Sequence, residues 1–122
     1  MITAWRIVKA AFADQSFDGE GARQFGGRWN SAGTPIIYTA DCLAAAALEL
    51  MVNMIDYSVI LQKFVRISVG FPEGRIQTIH AADLPDGWQR SPASAGCKAV
   101  GDKWVRSKES LVFKIPSAVI PE

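Results

Sequence analysis

Four residues are of types that could together serve a small-molecule site: Arg28, Tyr38, Glu49 and Ser117. Glu49 sits in a run of strong helix formers, Asp41 to Ile55. At about 100° per residue, Leu43, Leu48, Leu50, Met51, Val52, Met54 and Ile55 cover most of the circumference, so the helix is expected to be buried. The exception is a narrow stripe holding Glu49 and Asn53, flanked by Ala45 and Ala46, whose small side chains leave room beside the carboxylate. That stripe faces either open solvent, the commoner fate of a helix glutamate, or a polar cleft. Upstream, Gly26-Gly27-Arg28-Trp29-Asn30 pairs two glycines with an arginine. Glycines let a backbone approach a ligand closely or adopt positive φ. The guanidinium is a planar fork suited to phosphate or carboxylate oxygens. The plainer alternative is a glycine-rich turn whose arginine makes a surface salt bridge. Tyr38, among Ile36, Ile37 and Ala40, is equally a core tyrosine, and Ser117, between Pro116 and Ala118, equally a turn serine.

Other chemistries have little support. The 122 residues carry a formal charge of +1, and nearly balanced charge lacks the clustered basic face that nucleic acids require. A small anion needs only one or two placed arginines, so that ligand class stays open. Cys42 and Cys97 are far apart and His80 is the sole histidine, so a zinc site would have to recruit carboxylates, and no metal is expected. A histidine-based triad would need His80 to meet Ser117 or Ser110. Neither a Walker A loop nor a GxGxxG fingerprint opening a helix is present. The longest apolar stretch, Leu43 to Leu48, is too short to span a bilayer, and the N-terminus reaches Arg6 and Lys9 without a signal-peptide pattern. A soluble, cytoplasmic protein with no membrane partner is expected.

The elements that must hold these residues follow from pattern. Ile2 to Val8 reads as a strand, Gln15 to Gly27 as a polar loop with four glycines, and Ser31 to Pro35 as a turn. Ile36 to Thr39 reads as a short strand, with Ile36 and Tyr38 on one face and Ile37 and Thr39 on the other. After the Asp41–Ile55 helix come strands at Phe64 to Val69 and Arg75 to Ile79, separated by a turn at Phe71 to Gly74. Asp83 to Pro92 is irregular, Ala95 to Lys108 is a second helix, and Leu111 to Ile115 is a last strand before Pro116-Ser117. The class is α+β, several short strands with helices packed against them, in one domain over residues 1–122.

The string Gly26-Gly-Arg-Trp-Asn-Ser-Ala-Gly33, then Ile37-Tyr38-Thr39-Ala40, then Ala47-Leu48-Glu49, resembles the core of the RES domain, a family named for an arginine, a glutamate and a serine. The likeness extends to Trp5-Arg6-Ile7, Asp83-Leu-Pro85, Trp88, Gly101-Asp-Lys-Trp104 and Ile115-Pro-Ser-Ala-Val-Ile-Pro121, nearly the whole chain. RES proteins are toxins of bacterial toxin–antitoxin pairs, partnered by Xre-type helix-turn-helix antitoxins. The resemblance implies an ADP-ribosyltransferase-like fold, a small mixed and split β-sheet with packed helices and a cleft for NAD. It implies NAD breakdown by hydrolysis or phosphorolysis, or ADP-ribosyl transfer to a protein. By motif, Glu49, Arg28 and Tyr38 become the catalytic set. Arg6, Arg28, Tyr38 and Ser117 become the residues that hold NAD, which is substrate rather than resident cofactor. No metal and no direct nucleic-acid contact are implied.

That chemistry suits the residues. Breaking the nicotinamide–ribose bond releases a neutral pyridine that needs no proton, so the paired carboxylates of ordinary glycosidases are unnecessary. One carboxylate suffices to hold ribose hydroxyls and stabilise an oxocarbenium-like transition state. Two departures from the family pattern bear on activity. The chain stops at Glu122, where relatives continue into an asparagine-containing tail, and Asn53 stands where many relatives carry histidine. The competing expectation is therefore a catalytically silent RES-like module that binds a helix-turn-helix antitoxin. Trp29 and the loop around Phe17 are the places to look for the antitoxin contact, each equally readable as core.

Overall fold

The computed structural model describes residues 1–52 and 63–119. They form two compact units, one from Met1–Phe17 with Tyr38–Glu73, the other from Asp18–Ile37 with Gly74–Glu122. The architecture is α+β, with one antiparallel and one parallel pair of strands.

In the first unit, β1 (Ile2–Lys9) pairs with β2 (Phe64–Phe71) in a full antiparallel register from Ile2↔Phe71 to Lys9↔Phe64. Both strands are rich in β-branched and aromatic residues, which fit a pleated, half-buried surface. A 3-10 segment, Ala10–Gln15, continues β1 and packs against the same two strands. On its other edge β1 meets Ala40, through Trp5 N–H to the Ala40 carbonyl at 2.7 Å and Ala40 N–H to the Trp5 carbonyl at 2.8 Å. This single bridge replaces the strand expected at Ile36–Thr39. The cause is visible at Tyr38, whose carbonyl accepts from Arg6 Nη1 at 2.8 Å and so is engaged by a side chain rather than a ladder N–H. The alternation itself survives, with Ile36 and Tyr38 half-buried and Ile37 and Thr39 exposed.

The helix of this unit, α2 (Leu43–Val52), packs on β1; the rest of the expected run, including Asn53, lies outside the described residues. Its burial centres on Ala46, with Leu43, Glu49 and Leu50 within about 60° of it around the axis. Ala44, Leu48, Met51 and Val52 occupy the opposite side and are exposed. The expectation of an all-round buried helix is therefore corrected. Ala46 lies at the centre of the packed side with Leu43 and Leu50 beside it, while Leu48, Met51 and Val52 fall on the far face.

The second unit begins with a helix where a loop was expected. α1 (Glu20–Phe25) is bounded by Gly19 at φ 75° and Gly26 at φ 73°. Two of the four glycines read as loop residues are thus the helix's ends, a positive-φ entry and exit that side chains disfavour. Asp18 Oδ1 accepts from Glu20 N–H at 2.9 Å, and Arg23 makes a bidentate contact with Glu20 one turn back. α3 (Ala95–Ser107) matches the expected helix to within a residue, capped by Ser94, whose Oγ accepts from Cys97 N–H at 3.2 Å. It ends where Lys108 turns left-handed at φ 54°. β3 (Ile76–Thr78) and β4 (Val112–Lys114) pair in parallel, shorter than expected at both ends. The core of this unit holds Trp29, Trp88, Leu84 and Cys97 together with the fully buried Asn30. The Trp29 and Trp88 rings lie 6.2 Å apart, while Trp104 stacks on Phe113 at 5.3 Å.

Candidate functional site

The sequence-predicted residues divide between the units. Arg6, Tyr38 and Glu49 belong to the first; Arg28 and Ser117 belong to the second.

In the first unit, the β1 ladder fixes Arg6 opposite Ile67, and its guanidinium reaches the Tyr38 carbonyl. Arg6 thereby ties down the strand-edge segment that delivers Tyr38 and leads into α2. Both side chains are half-buried. Glu49 is half-buried as well, three residues after the buried Ala46 and on the packed side of α2. Of the two expectations for its stripe, a fully solvated face does not describe it.

In the second unit, Arg28 and Trp29 form the corners of a tight turn closed by Gly27 N–H to the Asn30 carbonyl at 3.1 Å. Gly26 precedes it at positive φ, and a Cβ there would stand 3.2 Å from the Asn30 carbonyl oxygen. Glycine at this position is therefore a backbone requirement. The Asn30 side chain holds the turn from inside, its amide nitrogen donating to the carbonyls of Ala22 at 2.8 Å, Thr34 at 3.0 Å and Ser31 at 3.3 Å. Trp29 packs under the turn at 6% exposure. Of the two readings open for Trp29, outward contact or core, the structure shows core, with its indole against Trp88.

Arg28 is half-buried, and Nη1 donates to the carbonyls of Trp88 at 2.9 Å and Arg90 at 2.6 Å. Arg28 is thus neither a loose surface arginine nor the partner in a salt bridge among the described residues. Ser117, half-buried after β4, accepts at Oγ from Val119 N–H at 3.0 Å, which shapes the bend following Pro116.

Sequence reasoning passed over the residues that brace this turn. Lys98 Nζ donates to the Gly27 carbonyl at 2.7 Å, and Asp102 Oδ1 accepts from Ser31 N–H at 2.9 Å. Burial disfavours the Asp102 anion, but hydrogen bonds from the Ser31 hydroxyl and N–H and the Thr34 hydroxyl, with Arg106 nearby, hold its carboxyl below the ordinary range. The signal available was Gly101-Asp102, a glycine inside a helix beside a buried acid. An open cavity of about 430 Å³ also lies in this unit, lined among others by Pro35, Ile36, Arg75, Trp104 and Lys108. Neither Arg28 nor Ser117 is among its described lining residues.

Comparison with known proteins shows the family. The RES domain profile matches residues 3–122. A protein named Toxin Res from Yersinia enterocolitica is 32% identical over 117 residues, covering 96% of this chain and 76% of its own length. A protein of the same name from Photorhabdus laumondii is 29% identical, covering 96% of this chain and 74% of its own. A Prs ADP-ribosylating toxin from a Sphingobium species is 31% identical over 123 residues, covering 97% and 76%. With the profile spanning all but two residues, the chain belongs to the RES domain family.

Proposed function

We propose that this chain is a single RES domain acting as the toxin of a bacterial toxin–antitoxin pair, and that it cleaves the nicotinamide–ribose bond of NAD. The observation that carries this reading is the ordered set Arg28, Tyr38, Glu49 and Ser117 inside a chain-long family match, with relatives named as toxins and one as ADP-ribosylating. Glu49 holds the ribose hydroxyls and stabilises positive charge developing on the ribose as the neutral nicotinamide leaves. Arg28 takes pyrophosphate or adjoining ribose oxygens, with Arg6 as a second arginine. Tyr38 borders the nicotinamide ribose, and Ser117 supplies a hydrogen bond to the substrate. No resident cofactor or metal takes part. The ADP-ribosyl group passes to water, to phosphate or to a protein side chain, in the cytoplasm.

The experiment is NAD turnover by the purified chain, with and without phosphate, beside Glu49→Gln. Glu49-dependent loss of NAD is the expected result, and a phosphate requirement would identify the acceptor. Near-full turnover by Glu49→Gln would refute the assignment.

A second reading, a catalytically silent module that binds a helix-turn-helix antitoxin of the Xre type, has one observation in its favour. Leu48, Met51 and Val52 expose a helical apolar stripe at 40–55%, and Phe17 is 37% exposed. An apolar helix stripe suits a protein partner. Absence of turnover in a folded chain that still binds such a partner would select this reading.

A further inference from the structure

We propose that Lys98 and Asp102 are positioning residues that present Arg28 to its anion, an inference that rests on the substrate role given to Arg28 above. The two residues stand one turn apart on α3, so both side chains leave the same face of the helix. They grip the turn at either end, Lys98 at the Gly27 carbonyl and Asp102 at the Ser31 N–H. Between them, Gly101 brings the helix against the middle of the turn, where a Cβ would fall 1.7 Å from the Trp29 carbonyl oxygen. The backbone that carries Arg28 is thus held at three successive points by one rigid helix.

The side chain is fixed from the other direction. Nη1 has two hydrogens, and the Trp88 and Arg90 carbonyls take both. Among the described residues no hydrogen bond engages Nε or Nη2. The guanidinium therefore keeps its Nε–Nη2 edge, two parallel N–H groups spaced for two oxygens of one phosphate or carboxylate. Carbonyl partners orient the fork without cancelling its charge, as a carboxylate would. Lys98 and Asp102 act on the anion only through this orientation.

The test is a double-mutant cycle read by calorimetric binding of ADP-ribose, which keeps both phosphates and lacks the scissile nicotinamide bond. Lys98→Met in the chain with Arg28 is expected to weaken binding by about tenfold or more, the scale of a misplaced positioning group. In an Arg28→Met background the same change is expected to alter binding by less than about twofold, since nothing remains to be positioned. Lys98→Arg, which can still reach the Gly27 carbonyl, is expected to recover most of the loss. An equal loss in both backgrounds, or no loss in either, overturns the positioning role. Should Lys98→Met fail to fold, Asp102→Asn is carried through the same cycle with the same criteria. If Arg28→Met alone leaves ADP-ribose affinity unchanged, the substrate role of Arg28 fails instead, and the two failures are told apart by that single variant.

Discussion

Replacing Gly101 by alanine is the sharpest test of how the arginine turn is built. A helix-interior glycine is ordinarily a weak point, and alanine there gains about 0.5–1 kcal/mol. Here the added methyl would lie 1.7 Å from the Trp29 carbonyl oxygen, 2.8 Å from its carbonyl carbon and 3.1 Å from its Cβ. Ordinary contact begins near 3.4 Å, so helix and turn would have to separate by about 1.7 Å. The obstructing atoms are mainly backbone, in a turn fixed by Asn30, Lys98 and Asp102, and cannot swing aside as a side-chain tip would. Overpacking of a tight site costs about 1–3 kcal/mol, and the rigid obstruction places this case toward the upper end, about 2–3 kcal/mol, which outweighs the propensity gain. Gly96, in the first turn of the same helix, is the internal control. Its added Cβ would meet Pro85 at 3.5 Å, an ordinary contact, so Gly96→Ala is expected to be neutral or stabilising by up to about 1 kcal/mol. Urea unfolding followed by circular dichroism reads both, with a lowered midpoint at unchanged slope for Gly101→Ala. A Gly101→Ala chain as stable as the original, or more so, would refute the close approach of α3 to the turn.

The remaining predictions use other parts of the molecule. Glu49→Gln is expected to reduce NAD cleavage on the order of 100-fold, measured by nicotinamide release. Asp102 has a folded-state pKa below its ordinary value of 3.8, so its stabilising contribution is complete above that value and lost as pH falls through the lowered one. The stability gap between the original chain and Asp102→Asn should accordingly be constant from pH 7 to about 5 and close below about 4 in unfolding titrations. Ser94→Ala removes the N-cap acceptor of α3 and should cost about 1 kcal/mol by denaturant unfolding, with Ser94→Asp restoring most of it.

The sequence was most legible where pattern and local propensity agree. β1, β2 and α3 lie almost where the sequence pattern puts them, because each has a local cause that tertiary contacts do not oppose, for α3 one that the structure adds in the Ser94 cap. Gly26 was readable for the same reason, since a paired glycine before an arginine suggests positive φ, and φ is 73°. The misreadings share a different cause. Residues 36–39 have strand-like alternation, but the Arg6 guanidinium takes the Tyr38 carbonyl, a competition between side chain and backbone that no window of sequence contains. α1 was hidden because six residues between glycines give too short a period to read, and its ends resemble a loop. α2 shows that composition alone does not choose a face: apolar residues cover most of its circumference, and packing on β1 buries the side centred on Ala46 while leaving Ala44, Leu48, Met51 and Val52 exposed. The site followed the same division. The residue types at Arg28 and Glu49 were legible, whereas the supports of Arg28 at Lys98, Asp102 and the Trp88 and Arg90 carbonyls depend on contacts 60 or more residues away in sequence.

On the substrate role proposed for Arg28, those supports give a chain with almost no net charge a way to hold a doubly charged pyrophosphate. An exposed arginine must give up about 2 kcal/mol of rotamer freedom to grip an anion, and solvent screens what it gains. Arg28 has lost much of that freedom already, its Nη1 bound to two carbonyls and its backbone held by α3. Folding has thus borne an ordering cost that binding would otherwise meet, the usual origin of affinity from preorganisation. One such arginine can replace a diffuse basic surface, which agrees with 13 basic against 12 acidic residues. The consequence is a specific salt response. Affinity for ADP-ribose resting on one oriented fork should fall only modestly between 50 and 200 mM salt, by less than about threefold. A steep loss of tenfold or more over that range would mean that a diffuse field of many charges, rather than the pinned Arg28, holds the anion.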